Sequence, residues 1–171
     1  LYINEFAGDL YLNTVGTGPT ATAFISSLAG KIVDGRTNLS LFNIESGKVY
    51  LFAAQDIGSS ANPITTKISN VEGKSTSGST YIENTGHLTV GGVVPGADPG
   101  MIAGGQIRFV TNSPVTIAEA VTAAGDITVE ASEEVTAGDD LTITGAGSLT
   151  STGGSIYLRA GDNVNLQSGS S

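Results

Sequence analysis

Gly105-Gln106-Ile107-Arg108-Phe109, Gly125-Asp126-Ile127-Thr128-Val129 and Gly154-Ser155-Ile156-Tyr157-Leu158 repeat one short pattern: a glycine, a polar residue, then apolar residues two apart. A β-strand with one buried and one solvated face requires this alternation. The pattern also stands at Gly8-Asp9-Leu10-Tyr11-Leu12, Gly47-Lys48-Val49-Tyr50-Leu51 and Gly86-His87-Leu88-Thr89-Val90. With aspartate in place of glycine it recurs at Asp139-Asp140-Leu141-Thr142-Ile143 and Asp162-Asn163-Val164-Asn165-Leu166.

Working outward from these stretches, strands are predicted to start at Ile107, Val115, Val121, Ile127, Val135, Leu141, Leu149, Ile156 and Val164, six to eight residues apart. Three such steps make a coil of about 20 to 22 residues, the size of one turn of many solenoids. Strands this short cannot form a sandwich of long hairpins. The expected fold is therefore all-β, a right-handed parallel β-helix with three sides, each strand pairing with its equivalent one coil later. About eight coils at ~4.8 Å each would make a rod roughly 40 Å long. Its end coils would carry sheet edges that invite further pairing.

One segment, residues 1–171, is expected, regular over 105–171 and less regular over 1–104. The stretches 21–30 and 59–79, rich in Ser, Thr, Gly and Pro, read as loops leaving the coil. Phe24, Ile25, Leu28, Ile32 and Val33 also have helix-compatible spacing, so a short helix flanking the rod is the alternative there.

Composition narrows the classes of function. Aromatic residues make up only 6% while glycine numbers 24, so Val, Ile, Leu and Ala must build the core. Seven basic against sixteen acidic residues give a net charge of −9, which repels nucleic acid and anionic lipid alike. With no cysteine, disulfides, thiolate metal sites and a cysteine nucleophile are ruled out. No apolar run approaches the ~20 residues of a transmembrane helix. The absence of an initiator Met or leader at Leu1 suggests a processed chain or a part of a longer one.

The run Gly154-Ser155-Ile156-Tyr157-Leu158-Arg159-Ala160-Gly161-Asp162-Asn163-Val164-Asn165-Leu166 resembles the repeats of filamentous-haemagglutinin-like bacterial exoproteins. Asp56-Ile57-Gly58-Ser59-Ser60-Ala61-Asn62-Pro63-Ile64 resembles a connecting segment of such chains. The resemblance covers most of the chain and is strongest after Gly104. It implies a β-helix carried by exported adhesins, biofilm-matrix and surface-layer-like proteins, hence a secreted or cell-surface location. It transfers no catalytic residue.

Little in the sequence points to chemistry. His87, the only histidine, precedes a strand at an outward position and reads as solvated. Glu130, Glu133, Glu134, Asp139 and Asp140 gather five carboxylates that could offer oxygen ligands to Ca²⁺, although their spacing matches neither an EF-hand nor a calcium-binding nonapeptide, and an acidic solvated face accounts for them as well. Asp9, Asp126, Asp139 and Asp162 stand just ahead of strands, where turn geometry and local capping explain them. If those turns stacked in register, like charges would lie one coil apart and a cation could bridge them. Gly145 to Gly154 lacks a phosphate-cradling pattern, Thr142 and Thr144 are too few for an ice-binding array, and Asn38-Leu39-Ser40 is a chance sequon.

Two functions follow as expectations. The first is a non-enzymatic adhesive or structural rod that holds host or microbial surfaces, or carbohydrate, by many weak contacts. The second is a subunit that assembles with other copies of itself into a surface layer, sheath or fibre. A polysaccharide-active enzyme would need carboxylates and a basic residue gathered on one face, and the seven basic residues are scattered.

Overall fold

The computed structural model describes residues 1–96, 99–132 and 138–169, and among them every regular element is a strand. In chain order these are β1 (Tyr2–Glu5), β2 (Leu10–Leu12), β3 (Val15–Gly16), β4 (Thr22–Ser27), β5 (Ile32–Asp34), β6 (Ile44–Glu45) and β7 (Lys48–Ala53). Then come β8 (Ile64–Lys67), β9 (Asn70–Ser75), β10 (Thr80–Asn84), β11 (Leu88–Val90), β12 (Met101–Ala103) and β13 (Ile107–Thr111). The last are β14 (Val115–Ile117), β15 (Ala120–Ala123), β16 (Ile127–Ala131), β17 (Leu141–Ile143), β18 (Ser148–Ser151), β19 (Ile156–Ala160) and β20 (Val164–Leu166).

Strands do not pair with their sequence neighbours. One sheet runs β1-β4-β7-β9-β11-β14-β17-β20, with β12, β15 and β18 continuing beside it from the second half of β9. A second runs β3-β6-β8-β10-β13-β16-β19, and β2 pairs with β5, which joins β10 through bridges from Ile32 to Ile57 and from Ile57 to Thr80. Every strand pair is parallel, as a chain that winds past the same point once per coil must make it, so the architecture is compatible with a parallel β-helix or solenoid.

Inward residues stack in columns. Ala23, Val49, Val71, Val90, Ile117 and Ile143 face one another strand to strand, as do Ile107 with Ile127 and Phe109 with Val129. All are buried, and along β4, β13 and β16 the residues between them are not, the 2-residue period of a strand. That period overturns the helical alternative over 24–33: Ile25 points in and Phe24 out along β4, and Ile32 opens β5. The stretch 21–30 is likewise mostly strand (β4), and 59–79 holds β8 and β9 behind the connection at 58–63.

The coil is less uniform than the spacing after Gly104 suggests. Ile64 faces Ile82 after 18 residues, Val71 faces Val90 after 19, and Val15 faces Ile44 after 29. The longest step holds the connection 35–43 between β5 and β6, and a further connection leads on from Gly91 after β11. The second is tied down over the outer face of β9, where buried Glu72 accepts the Val93 N–H (2.5 Å) and the Val94 N–H (3.0 Å). Lys48 Nζ and Asn70 Nδ2 donate to the Gly92 and Gly91 carbonyls.

The glycine of the repeated pattern has a steric cause. Gly8, Gly30, Gly78, Gly105, Gly125 and Gly154 occupy one corner in different coils, two residues before Leu10, Ile32, Thr80, Ile107, Ile127 and Ile156. None has a positive φ. A Cβ on Gly30 would lie 2.4 Å from the Gly8 carbonyl oxygen, and one on Gly154 would lie 2.5 Å from the Asp126 nitrogen, because the preceding coil passes directly beneath. Gly8, in the first coil, meets nothing within 4 Å. Gly30→Ala is therefore expected to destabilise by about 1–3 kcal/mol, and Gly8→Ala to stay within ~0.5 kcal/mol of the parent. Urea denaturation midpoints compare the two, and equal effects would disprove the steric explanation.

Candidate functional site

Three aspartates ahead of strands, Asp9, Asp56 and Asp126, serve the next coil rather than their own turn. Asp9 Oδ1 accepts the Lys31 N–H (2.8 Å), Asp56 Oδ1 the Ser79 N–H (2.9 Å) and Asp126 Oδ1 the Ser155 N–H (2.8 Å). Read along the corner, the column is Asp9, Lys31, Asp56, Ser79, Gln106, Asp126, Ser155, so its acids are never adjacent. Lys31 bridges to Asp56 at 2.9 Å, which raises the lysine pKa. Burial pushes the Asp56 carboxyl up, but the Ser79 N–H and Lys31 together hold it below its ordinary value. Asp139 and Asp162, at a different corner, do stack one coil apart, and there Asp162 Oδ2 accepts the N–H groups of Gly138 (2.5 Å) and Asp139 (3.0 Å).

The acidic cluster is dispersed among partners. Glu130 lies 3.4 Å from Arg159 and accepts from Ser132, Asp140 Oδ1 accepts the Asn163 N–H (3.0 Å), and Asp139 is buried. Glu133 and Glu134, like the strand start at Val135, lie outside the described residues. Among the described residues no three His, Asp or Glu side chains come together as a metal would need. His87 is exposed, with Nε2 3.2 Å from the Thr116 hydroxyl.

Surface relief appears where the repetition is interrupted. The connection 35–43 folds over the outer face of the seven-stranded sheet and walls an open groove of about 310 Å³ that reaches Glu83, Thr85, Asn112 and Ser132 on later coils. A second open groove, of about 430 Å³, follows another corner past Thr17, the Glu45–Lys67 ion pair (3.0 Å) and His87. The first is the better built. Arg36 Nε and one terminal nitrogen grip the Asp34 carboxylate at 2.9 and 2.8 Å, its other terminal nitrogen donates to the Leu41 carbonyl (2.6 Å), and Asn43 Nδ2 donates to Asp34 (2.7 Å). Asn38 accepts the Ser40 N–H (3.0 Å), so the sequon asparagine shapes a turn. This leaves Leu39 and Leu41 exposed on a fixed loop, at 76% and 46%.

Sequence reasoning missed this site. The only local signal was Asp34-Gly35-Arg36, an acid and a base two apart at the end of a strand, with a second amide donor, Asn43, nine residues from Asp34.

Both side chains of the Asp34–Arg36 pair are more than nine-tenths buried. The Arg36 guanidinium hydrogen bonds hold the Asp34 pKa at about 2, against burial that pushes it up, with Asn43 helping. A depressed carboxyl pKa contributes stability above its unfolded value and loses it as pH falls toward the folded one. Asp34→Asn is expected to cost about 2 kcal/mol at pH 7, and the gap between parent and variant to close between about pH 4 and pH 2. Denaturant titrations across that range measure it, and a gap independent of pH would show that the pair is not the source.

No protein-family model, curated protein or solved structure matches this chain, so the functional reading rests on the geometry and on the residues themselves.

Proposed function

We propose that the chain is a stretch of an exported bacterial rod of the filamentous-haemagglutinin-like kind, a right-handed, three-sided β-helix that attaches to surfaces or carbohydrate by repeated contacts and performs no chemistry of its own. The observation that carries this reading is a continuous aliphatic core with parallel coil-to-coil pairing from which side-chain-pinned loops project. Such a scaffold fixes the spacing of contact points, and weak contacts at fixed spacing add up. Right-handed winding is the general preference of parallel crossover connections. Three stretches per coil, for example β14, β15 and β16, support the three-sided form.

A second reading is assembly of copies into a layer or fibre through the edges of the parallel sheets.

Glycan arrays and cell-binding assays on the intact chain test the first reading, with saturable binding and no glycan cleavage as the expected outcome. Ordered polymers forming without any ligand, and no surface binding, would replace it with the second. Release of reducing sugar ends would overturn both in favour of an enzyme.

A further inference from the structure

We propose that the groove beside the 35–43 loop is a binding site for a linear, uncharged oligosaccharide, an inference that rests on the adhesive reading above and gives it a ligand class. Three observations converge on sugar chemistry. First, the floor offers neutral hydrogen-bonding groups on successive coils, with Thr85 and Asn112 both exposed at its corner. Asn112 Oδ1 accepts the Gly86 N–H (3.0 Å), which fixes the amide and leaves its Nδ2 directed elsewhere to donate. Glu83 adds a carboxylate 3.4 Å from Arg108, half-exposed and able to accept from paired hydroxyls.

Second, the loop supplies apolar side chains to the lining, exposed Leu39 and Leu41 with half-buried Phe42. A sugar ring has polar edges and apolar C–H faces, and the combination of hydroxyl and amide donors with an aliphatic and aromatic wall meets both. The wall is fixed in advance by the Arg36 contacts to Asp34 and Leu41, so little conformational freedom is lost on binding.

Third, other ligand classes fit less well. The groove's cation, Arg36, is already committed to Asp34, and the chain carries −9 overall, which disfavours anionic polymers. Strands β10 and β13 at its floor are paired on both sides, leaving no free edge for an added peptide strand. The groove's lining passes from one coil to the next, from Thr65 through Glu83 and Val110 to Ser132, at the ~4.8 Å strand spacing, which suits a chain rather than a single compact molecule.

The test uses the whole chain with a panel of neutral oligosaccharides, namely β-1,4- and β-1,3-linked glucose hexamers, N-acetylglucosamine hexamer and a xylose hexamer, against heparin as an anionic control. Calorimetry is run on the parent, Asn112→Ala, Phe42→Ser and, away from the groove, Thr150→Ala. Saturable binding of at least one neutral hexamer is expected, weakened about tenfold or more by each groove variant and unchanged by Thr150→Ala, with urea midpoints of Asn112→Ala and Thr150→Ala matched to the parent. If Phe42→Ser lowers stability, Leu39→Ser on the exposed tip replaces it. Glycan binding that survives all groove variants would place the site elsewhere while keeping the adhesive reading. Binding to heparin alone, or to cells but to no neutral glycan, would overturn the ligand class. Absence of binding to glycans and cells together would overturn the adhesive reading itself.

Discussion

Each strand in this molecule completes its backbone hydrogen bonds only with the strand one coil before and one coil after, and that constraint governs the rest. Because successive coils must superpose at the strand spacing, side chains stack on their equivalents, and any column that changes in volume must be matched by its neighbours. Val49, Val71, Val90, Ile117 and Ile143 satisfy this with nearly uniform size. Where Phe109 enlarges one column, the facing residues are aliphatic Ile82 and Val129. At the corner, where backbone passes over backbone, glycine recurs in every coil but the one that places Gln55 there, without any demand on φ.

Stacking also decides the electrostatics. Identical charges one coil apart repel, and the corner column avoids this by interposing lysine, serine and glutamine between its acids. Each of the carboxylates Asp9, Asp56 and Asp126 is spent on an N–H of the next coil, so the acids hold coils in register as well as carrying charge. Glu72 solves a harder case: a carboxylate buried on the outer face of a strand finds backbone donors in the covering connection.

The parts legible in the sequence are those that the period-two pattern writes into every coil. The strand starts at Ile107, Val115, Val121, Ile127, Leu141, Leu149, Ile156 and Val164 all fall in strands, because each is an inward residue that follows a corner. In the first hundred residues the same geometry was hidden. β4 and β9 place serine at inward positions, Ser27 and Ser75, where their hydroxyls donate to the Gly8 and Gly78 carbonyls across the corner. Inward serine reads as loop in a sequence, although here it is buried. The Asp34–Arg36–Asn43 cluster was hidden for another reason: its members belong to a strand end and a loop closure, and only the returning chain brings Asn43 back to Asp34.

A surface that repeats with every coil can repeat a weak contact but cannot easily distinguish one ligand from another, since each coil offers nearly what the next one offers. Discrimination requires a place where the repetition is broken and the break is rigid. The 35–43 connection meets both conditions. It adds residues that no neighbouring coil possesses, and a buried ion pair with a third hydrogen-bonding partner removes its freedom to move. The regular coils on either side then act as the support that holds this irregular element at a fixed distance from the polar groups of later coils. On the proposed adhesive reading, a rod with rigid interruptions combines reach from the solenoid with selectivity from the loop, and neither would follow from the core alone.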